Sequence, residues 1–178
     1  HTERLLQKID SLCGENKHRI LGIDRDPEAI ARNQIKFSSQ IAAKKLEITH
    51  ASFSKALNLV QNRPIYGILA DLGISSDQID STTRGFSFRY PAPLDMRMNP
   101  ERGTSLAKLL DTISETELAD VIWKYGEERF SRKIARRLID LREKGQLPQT
   151  ASGLADAISL VFPPPMRHKG IHPATKSF

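Results

Sequence analysis

Apolar and polar positions follow two different periods over the opening stretch of the chain. Short apolar runs occur at Arg19-Ile20-Leu21-Gly22-Ile23-Asp24, at Leu46-Glu47-Ile48-Thr49 and at Ile65-Tyr66-Gly67-Ile68-Leu69-Ala70, and each has the length of a strand. Between the first two, Ile30, Phe37 and Ile41 lie on a helix pattern that starts behind Asp26-Pro27. Asp there can cap, and Pro suits the first helical position, where its missing N–H is not needed. The residues after His1 also read as a helix. Strands alternating with helices predict an α/β fold with a parallel sheet.

From Gly73 to Gly103 the periodicity lapses for 31 residues. A connection of that length is usually functional or hides an element. Beyond it the pattern is helical. Ser114-Glu115-Thr116-Glu117 fits a capping box, in which the serine oxygen and the glutamate side chain each satisfy the other's backbone N–H. Leu118, Val121, Ile122 and Tyr125 form an apolar stripe, and Gly126 is a plausible stop. The next helix, about Arg129 to Lys144, turns Phe130, Ile134, Leu138 and Leu141 to one face. Arg129, Arg132, Lys133, Arg136 and Arg137 form a basic band beside it. A last helix through Leu154, Ala155, Ile158 and Val161 ends at Pro163-Pro164-Pro165.

Composition narrows the possibilities. With 178 residues, 39% hydrophobic and 27% charged, the chain is of globular type, with room for one domain and a second small one. No apolar run approaches the ~18–20 residues that would span a bilayer, so no membrane partner is expected. The lone Cys13 excludes an internal disulfide or a Cys-rich zinc site and suits a reducing, cytoplasmic setting. No paired-His metal spacing, Gly-x-Ser-x-Gly elbow or Walker loop occurs, which removes metal, serine-hydrolase and P-loop chemistry. Charge is unevenly placed: 11 basic and 10 acidic residues up to Asp80, then 16 and 11. A neutral half joined to a basic half suits a polyanionic partner, the plain alternative being a solvated surface with surplus lysine.

Two carboxylates stand at strand ends. Asp24 ends the first run, where an acid can accept both hydroxyls of a ribose; it is equally a helix-cap partner of Asp26. Asp71 follows the third run, either facing a ligand crevice or starting an ordinary turn. In the long loop, Arg84, Arg89 and Arg97 alternate with Phe86, Phe88 and Tyr90. Arginine interleaved with aromatics suits unpaired RNA, although the phenylalanines can equally anchor the loop on the core. Cys13, on the first helix, is out of place for the thiolate attack that methylation of a pyrimidine C5 generally needs.

Ile23-Asp24-Arg25-Asp26-Pro27, Asp71-Leu72-Gly73-Ile74-Ser75-Ser76, Gln78-Ile79-Asp80, Arg84-Gly85-Phe86-Ser87-Phe88, Pro93-Leu94-Asp95-Met96-Arg97-Met98, Tyr125-Gly126-Glu127-Glu128-Arg129-Phe130 and His172-Pro173-Ala174-Thr175 together resemble the MraW (RsmH) family. These are S-adenosylmethionine-dependent methyltransferases acting on N4 of a cytidine in the decoding centre of small-subunit ribosomal RNA. The resemblance implies a class I methyltransferase, a Rossmann-like doubly wound sheet that is only partial here, interrupted by an inserted all-helical domain. It places a partial cofactor domain at 1–80, and the active-site loop with the helical, RNA-recognising domain at 81–178. Cofactor contacts fall on His1, Asp24, Phe53, Asp71 and Gln78, with Phe53 near the adenine and Asp24 on the ribose. Asp71, with Asp95 second, is the expected acceptor for the amine N–H. The glycine-rich turn before His1 and a later Ser-Phe-His-Ser-Leu-Glu-Asp-Arg segment of the family are absent, so a fragment of a longer parent is expected, inactive alone. The competing reading is a non-catalytic RNA- or ribosome-binding module. A nicotinamide dehydrogenase would share the ribose acid but needs a glycine-rich loop facing the pyrophosphate.

Overall fold

Asp26 settles how the first helix after a strand begins. Its carboxylate accepts the Glu28 N–H at 3.0 Å, Pro27 occupies the first helical position, and the side chain is 1% exposed. In the computed structural model, which describes residues 2–13, 18–61, 63–167 and 170–178, the chain divides into two compact units, 1–71 and 72–178. The first contains α1 (Thr2–Cys13), β1 (Ile20–Asp24), α2 (Pro27–Lys36), α3 (Ser38–Ala42), β2 (Leu46–His50), a 3-10 turn (Phe53–Lys55) and α4 (Ala56–Val60). β1 and β2 pair in parallel, from Ile20 opposite Leu46 to Asp24 opposite His50. A parallel pair needs a crossover, which α2 and α3 supply. Leu6, Phe37 and Leu46 are buried together, with Ile20, Ile41 and Ile48 packed around them.

The third expected strand is not formed. Residues 63–72 carry neither helix nor strand, and Ile65, Tyr66, Ile68 and Leu69 are exposed, Tyr66 by 97%. A strand exists only where a neighbour receives its backbone N–H and C=O groups, and among the described residues the sheet has two strands. The expected doubly wound sheet is therefore a two-stranded parallel one here.

The second unit contains α5 (Ser76–Asp80), α6 (Leu106–Thr112), α7 (Glu115–Gly126), α8 (Ser131–Glu143), α9 (Ala151–Ser159), α10 (Pro164–Arg167) and a 3-10 turn (Pro173–Lys176). Its division from the first unit falls after Asp71, upstream of the boundary expected near Asp80. Ser114 and Glu117 form the expected capping box, and the Ser114 hydroxyl bonded to Glu117 holds that carboxyl below its usual range. α7 buries Leu118, Ala119 and Ile122, while Val121 and Tyr125, expected on the stripe, face solvent. α8 buries Ile134, Ala135, Leu138, Ile139 and Leu141 against this face. Arg142 ties α8 to the end of α6, its Nη1 donating to the Leu110 carbonyl at 2.9 Å and the Ile113 carbonyl at 2.7 Å. These are orphan carbonyls of a helix end, which a cation satisfies well.

Gly126 ends α7, but the left-handed cap residue is Glu127, at φ 51°. The glycine serves another purpose. A Cβ at 126 would overlap the Lys176 carbonyl, so only glycine lets the Pro173–Lys176 turn lie against the helix end.

Candidate functional site

At the carboxyl edge of the sheet, Asp24 and His50 end paired strands, and Phe53 lies just beyond. Asp24 is exposed; its Oδ1 accepts the Asp26 N–H at 2.9 Å. Of the two aspartates, Asp26 is the buried cap, and Asp24 turns its carboxylate to solvent. Ser52 caps the turn that carries Phe53, a residue that is 67% exposed. An oriented carboxylate and an exposed aromatic on one edge suit the ribose hydroxyls and flat base of a nucleoside. Asp71 is exposed at the end of the first unit, after the run that forms no strand, so it does not occupy the strand end expected for it. His1 lies outside the described residues. Gln78 belongs to the second unit and is buried in the cap of α5: its Oε1 accepts the Ser75 N–H at 2.9 Å while its own N–H reaches Ser75 Oγ at 3.2 Å.

The long loop is internally braced. Arg84 is 3% exposed, and its Nη2 donates to the carbonyls of Arg97 at 2.9 Å and Met98 at 2.7 Å. Gly85, at φ 72°, sits so close under the Pro93 carbonyl that a Cβ would clash. Asp95 is held in the fork of Arg97, which donates from Nε at 3.0 Å and Nη2 at 2.5 Å; the same hydrogen bonds hold the carboxyl below its usual range. Arg97 also donates from Nη1 to the Gly103 carbonyl at 3.2 Å. Arg84 and Arg97, expected from the sequence to meet RNA, thus brace the loop through its own carbonyls and Asp95, and the carboxylate of Asp95, expected as the second amine acceptor, is engaged by Arg97. Arg89 is exposed. Phe88 packs between the rings of His172, 4.6 Å away, and Phe178, 5.2 Å away, the anchoring role left open by the sequence.

On α8 and just before it, Arg129, Arg132, Lys133 and Arg136 are exposed and Arg137 is half-buried. Arg136 Nε lies 3.5 Å from Glu115 Oε1, an exposed pair of small energetic weight. The end of α7 bears a feature the sequence did not single out: an open groove of about 830 Å³ lined by Asp120, Trp123, Lys124, Glu127, Arg129 and Lys176. Helical spacing carries the signal, because residues 120, 123, 124 and 127 share the face away from Leu118, Ala119 and Ile122. Among the described residues no cluster of three or more His, Cys, Asp or Glu side chains is placed to hold a metal, and no helix is long and apolar enough to cross a membrane.

Fold and site together define a mixed α/β protein with a parallel-sheet edge suited to a nucleoside and a separate helical unit bearing a basic face. The sequence is more specific: the MraW methylase family matches residues 1–178, and the protein belongs to it. It is similar to proteins named ribosomal RNA small subunit methyltransferase H. One from Prochlorococcus marinus is 46% identical over 162 residues, 89% of this chain and 50% of the relative. Another from the same species is 44% identical across the whole chain and 55% of the relative, and one from Crocosphaera subtropica is 45% identical over 90% of this chain and 49% of the relative. The chain spans about half the length of the curated relatives it matches.

Proposed function

We propose that the protein carrying this chain methylates N4 of a cytidine in the decoding centre of small-subunit ribosomal RNA, using S-adenosylmethionine. The supporting observation is membership of a methylase family across residues 1–178, whose relatives are named for this RNA. Asp24 is assigned to the ribose hydroxyls and Phe53 to the adenine, with His1, Asp71 and Gln78 completing the set that the family resemblance implies. When bound, the cofactor supplies an electrophilic methyl group.

The amine of cytosine is a poor nucleophile because its lone pair is conjugated with the ring. An acceptor for one N–H would fix the amine's orientation and draw density toward nitrogen, so positioning supplies much of the rate. Asp71 is assigned that role. Asp95 is the weaker candidate, since Arg97 already holds its oxygens. The exposed band of α8, with Arg89, is assigned to phosphate.

The test is calorimetric titration of S-adenosylmethionine into the full-length protein and its Asp24→Ala variant. Removing a charge-assisted acceptor should cost roughly 1.5–3 kcal/mol of cofactor binding and leave RNA affinity in place. Unchanged cofactor affinity removes Asp24 from the site. A full-length protein that binds small-subunit RNA but no S-adenosylmethionine would instead be a binding module.

A further inference from the structure

Trp123 exposes 56% of its surface at the end of a helix whose inward face is already filled by Leu118, Ala119 and Ile122. An indole left in water beside a groove has apolar area to bury. Around it stand groups of three kinds. Arg129 and Lys176 bring positive charge from outside α7, Asp120 and Glu127 bring carboxylates from the same face, and the indole offers a flat ring. Lys176 owes its place to Gly126, which lets its backbone approach the helix end. Arg129 also begins the basic band, so the groove and the cationic face of α8 are continuous in sequence.

This combination fits one ligand chemistry. A flat heterocycle stacks on indole, carboxylates accept N–H groups from a base edge, and guanidinium and ammonium groups meet phosphate. A purely acidic peptide would leave Asp120 and Glu127 opposed to like charge, and an apolar helix would bury them without partners. We propose that the groove seats one unpaired nucleotide of single-stranded RNA, with its base on Trp123 and its phosphates against Arg129 and Lys176. The proposal rests on the RNA-methylation reading and adds a substrate-gripping point that lies outside the cofactor edge.

The test measures binding of a fluorescein-labelled single-stranded RNA of about ten nucleotides to the full-length protein across a salt series. Trp123→Ala should weaken binding about 5- to 150-fold, the equivalent of about 1–3 kcal/mol of stacking, without changing the salt slope. Trp123→Phe keeps a stacking ring and should stay near the parent. Replacing Arg129 and Lys176 together by Ala should lower the slope by about 0.7 for each phosphate that is no longer neutralised. Parent-like binding by Trp123→Ala overturns the proposal, as does equal weakening by the Ala and Phe variants or an unchanged slope in the double variant. Acrylamide quenching of Trp123 emission, with the Phe variant as blank, adds another arm: an indole already shielded before RNA is added is covered by protein, and the proposal falls. Methyl transfer by the parent is assayed alongside. Its absence defeats the enzymatic reading while leaving the groove to stand on the binding data.

Discussion

Asp24 and Asp26 show how far apart two neighbouring residues of the same type can be in function. Asp26 is buried and satisfies the first turn of α2, so Asp26→Ala should cost about 1 kcal/mol of stability, read by denaturant titration, with cofactor binding kept. Asp24 is exposed, and its replacement should produce the converse. Asp95 makes a pH-dependent prediction. Its carboxyl is held low by Arg97, so the ion pair contributes stability above the ordinary carboxylate range that disappears as pH falls through the lowered value. Asp95→Asn should therefore destabilise by about 1.5 kcal/mol near neutrality, and thermal melts of parent and variant should begin to draw together as pH falls below about 4 and meet only below the lowered value. Gly126→Ala forces a Cβ onto the Lys176 carbonyl and should cost about 1–3 kcal/mol, seen as a lower melting temperature. Asp24 and Asp26 are both visible in the sequence as acids before a helix; which one is buried depends on the tertiary fold around the turn after β1, which no local pattern encodes.

At the scale of the element, α8 is where sequence and structure agree most closely. Ile134, Leu138 and Leu141 of the expected stripe are buried, joined by Ala135 and Ile139, while Arg132, Lys133 and Arg136 are exposed and Arg137 is half-buried. Reversing charge at Arg132 and Arg136 together should weaken RNA binding and flatten its salt dependence by about 0.7 for each phosphate released, while cofactor affinity stays level. An unchanged slope would mean that these side chains serve only surface pairs such as Arg136 with Glu115. α7 agrees less well. Its capping box is legible because its two partners, Ser114 and Glu117, are only three residues apart, whereas Val121 and Tyr125 satisfy the helical period yet lie at the margin of the buried arc. The run from Ile65 to Ala70 fails for a related reason: alternation and length describe what a segment could bury, and strand formation needs a partner that the run itself does not specify. Arg84 and Arg97 escape a sequence reading because the pattern of arginine and aromatic residues is the same whether the guanidinium meets a phosphate or a backbone carbonyl.

Across the whole molecule the two units differ in what holds them. Among the described residues, the first has three buried hydrophobic residues in its cluster, Leu6, Phe37 and Leu46, and the second has a cluster running from Ala92 to Ala174. Amide exchange should therefore be slowest in α8 and α9 and much faster in β1 and β2, by mass spectrometry of the chain; equal protection would contradict this division of stability. The connection from Ser81 to Ser105 belongs with the better-held unit despite its lack of regular structure. Ala92 and Leu94 are buried in the core, the Ala151 N–H reaches the Ala92 carbonyl at 2.8 Å, and Arg84 gathers the far end. Its conformational entropy is consequently lost when the protein folds, before any ligand arrives. A partner that meets Arg89 finds a surface already in place, so association there should show a small heat-capacity change set by contact area alone, without the large negative contribution of a segment that folds as it binds.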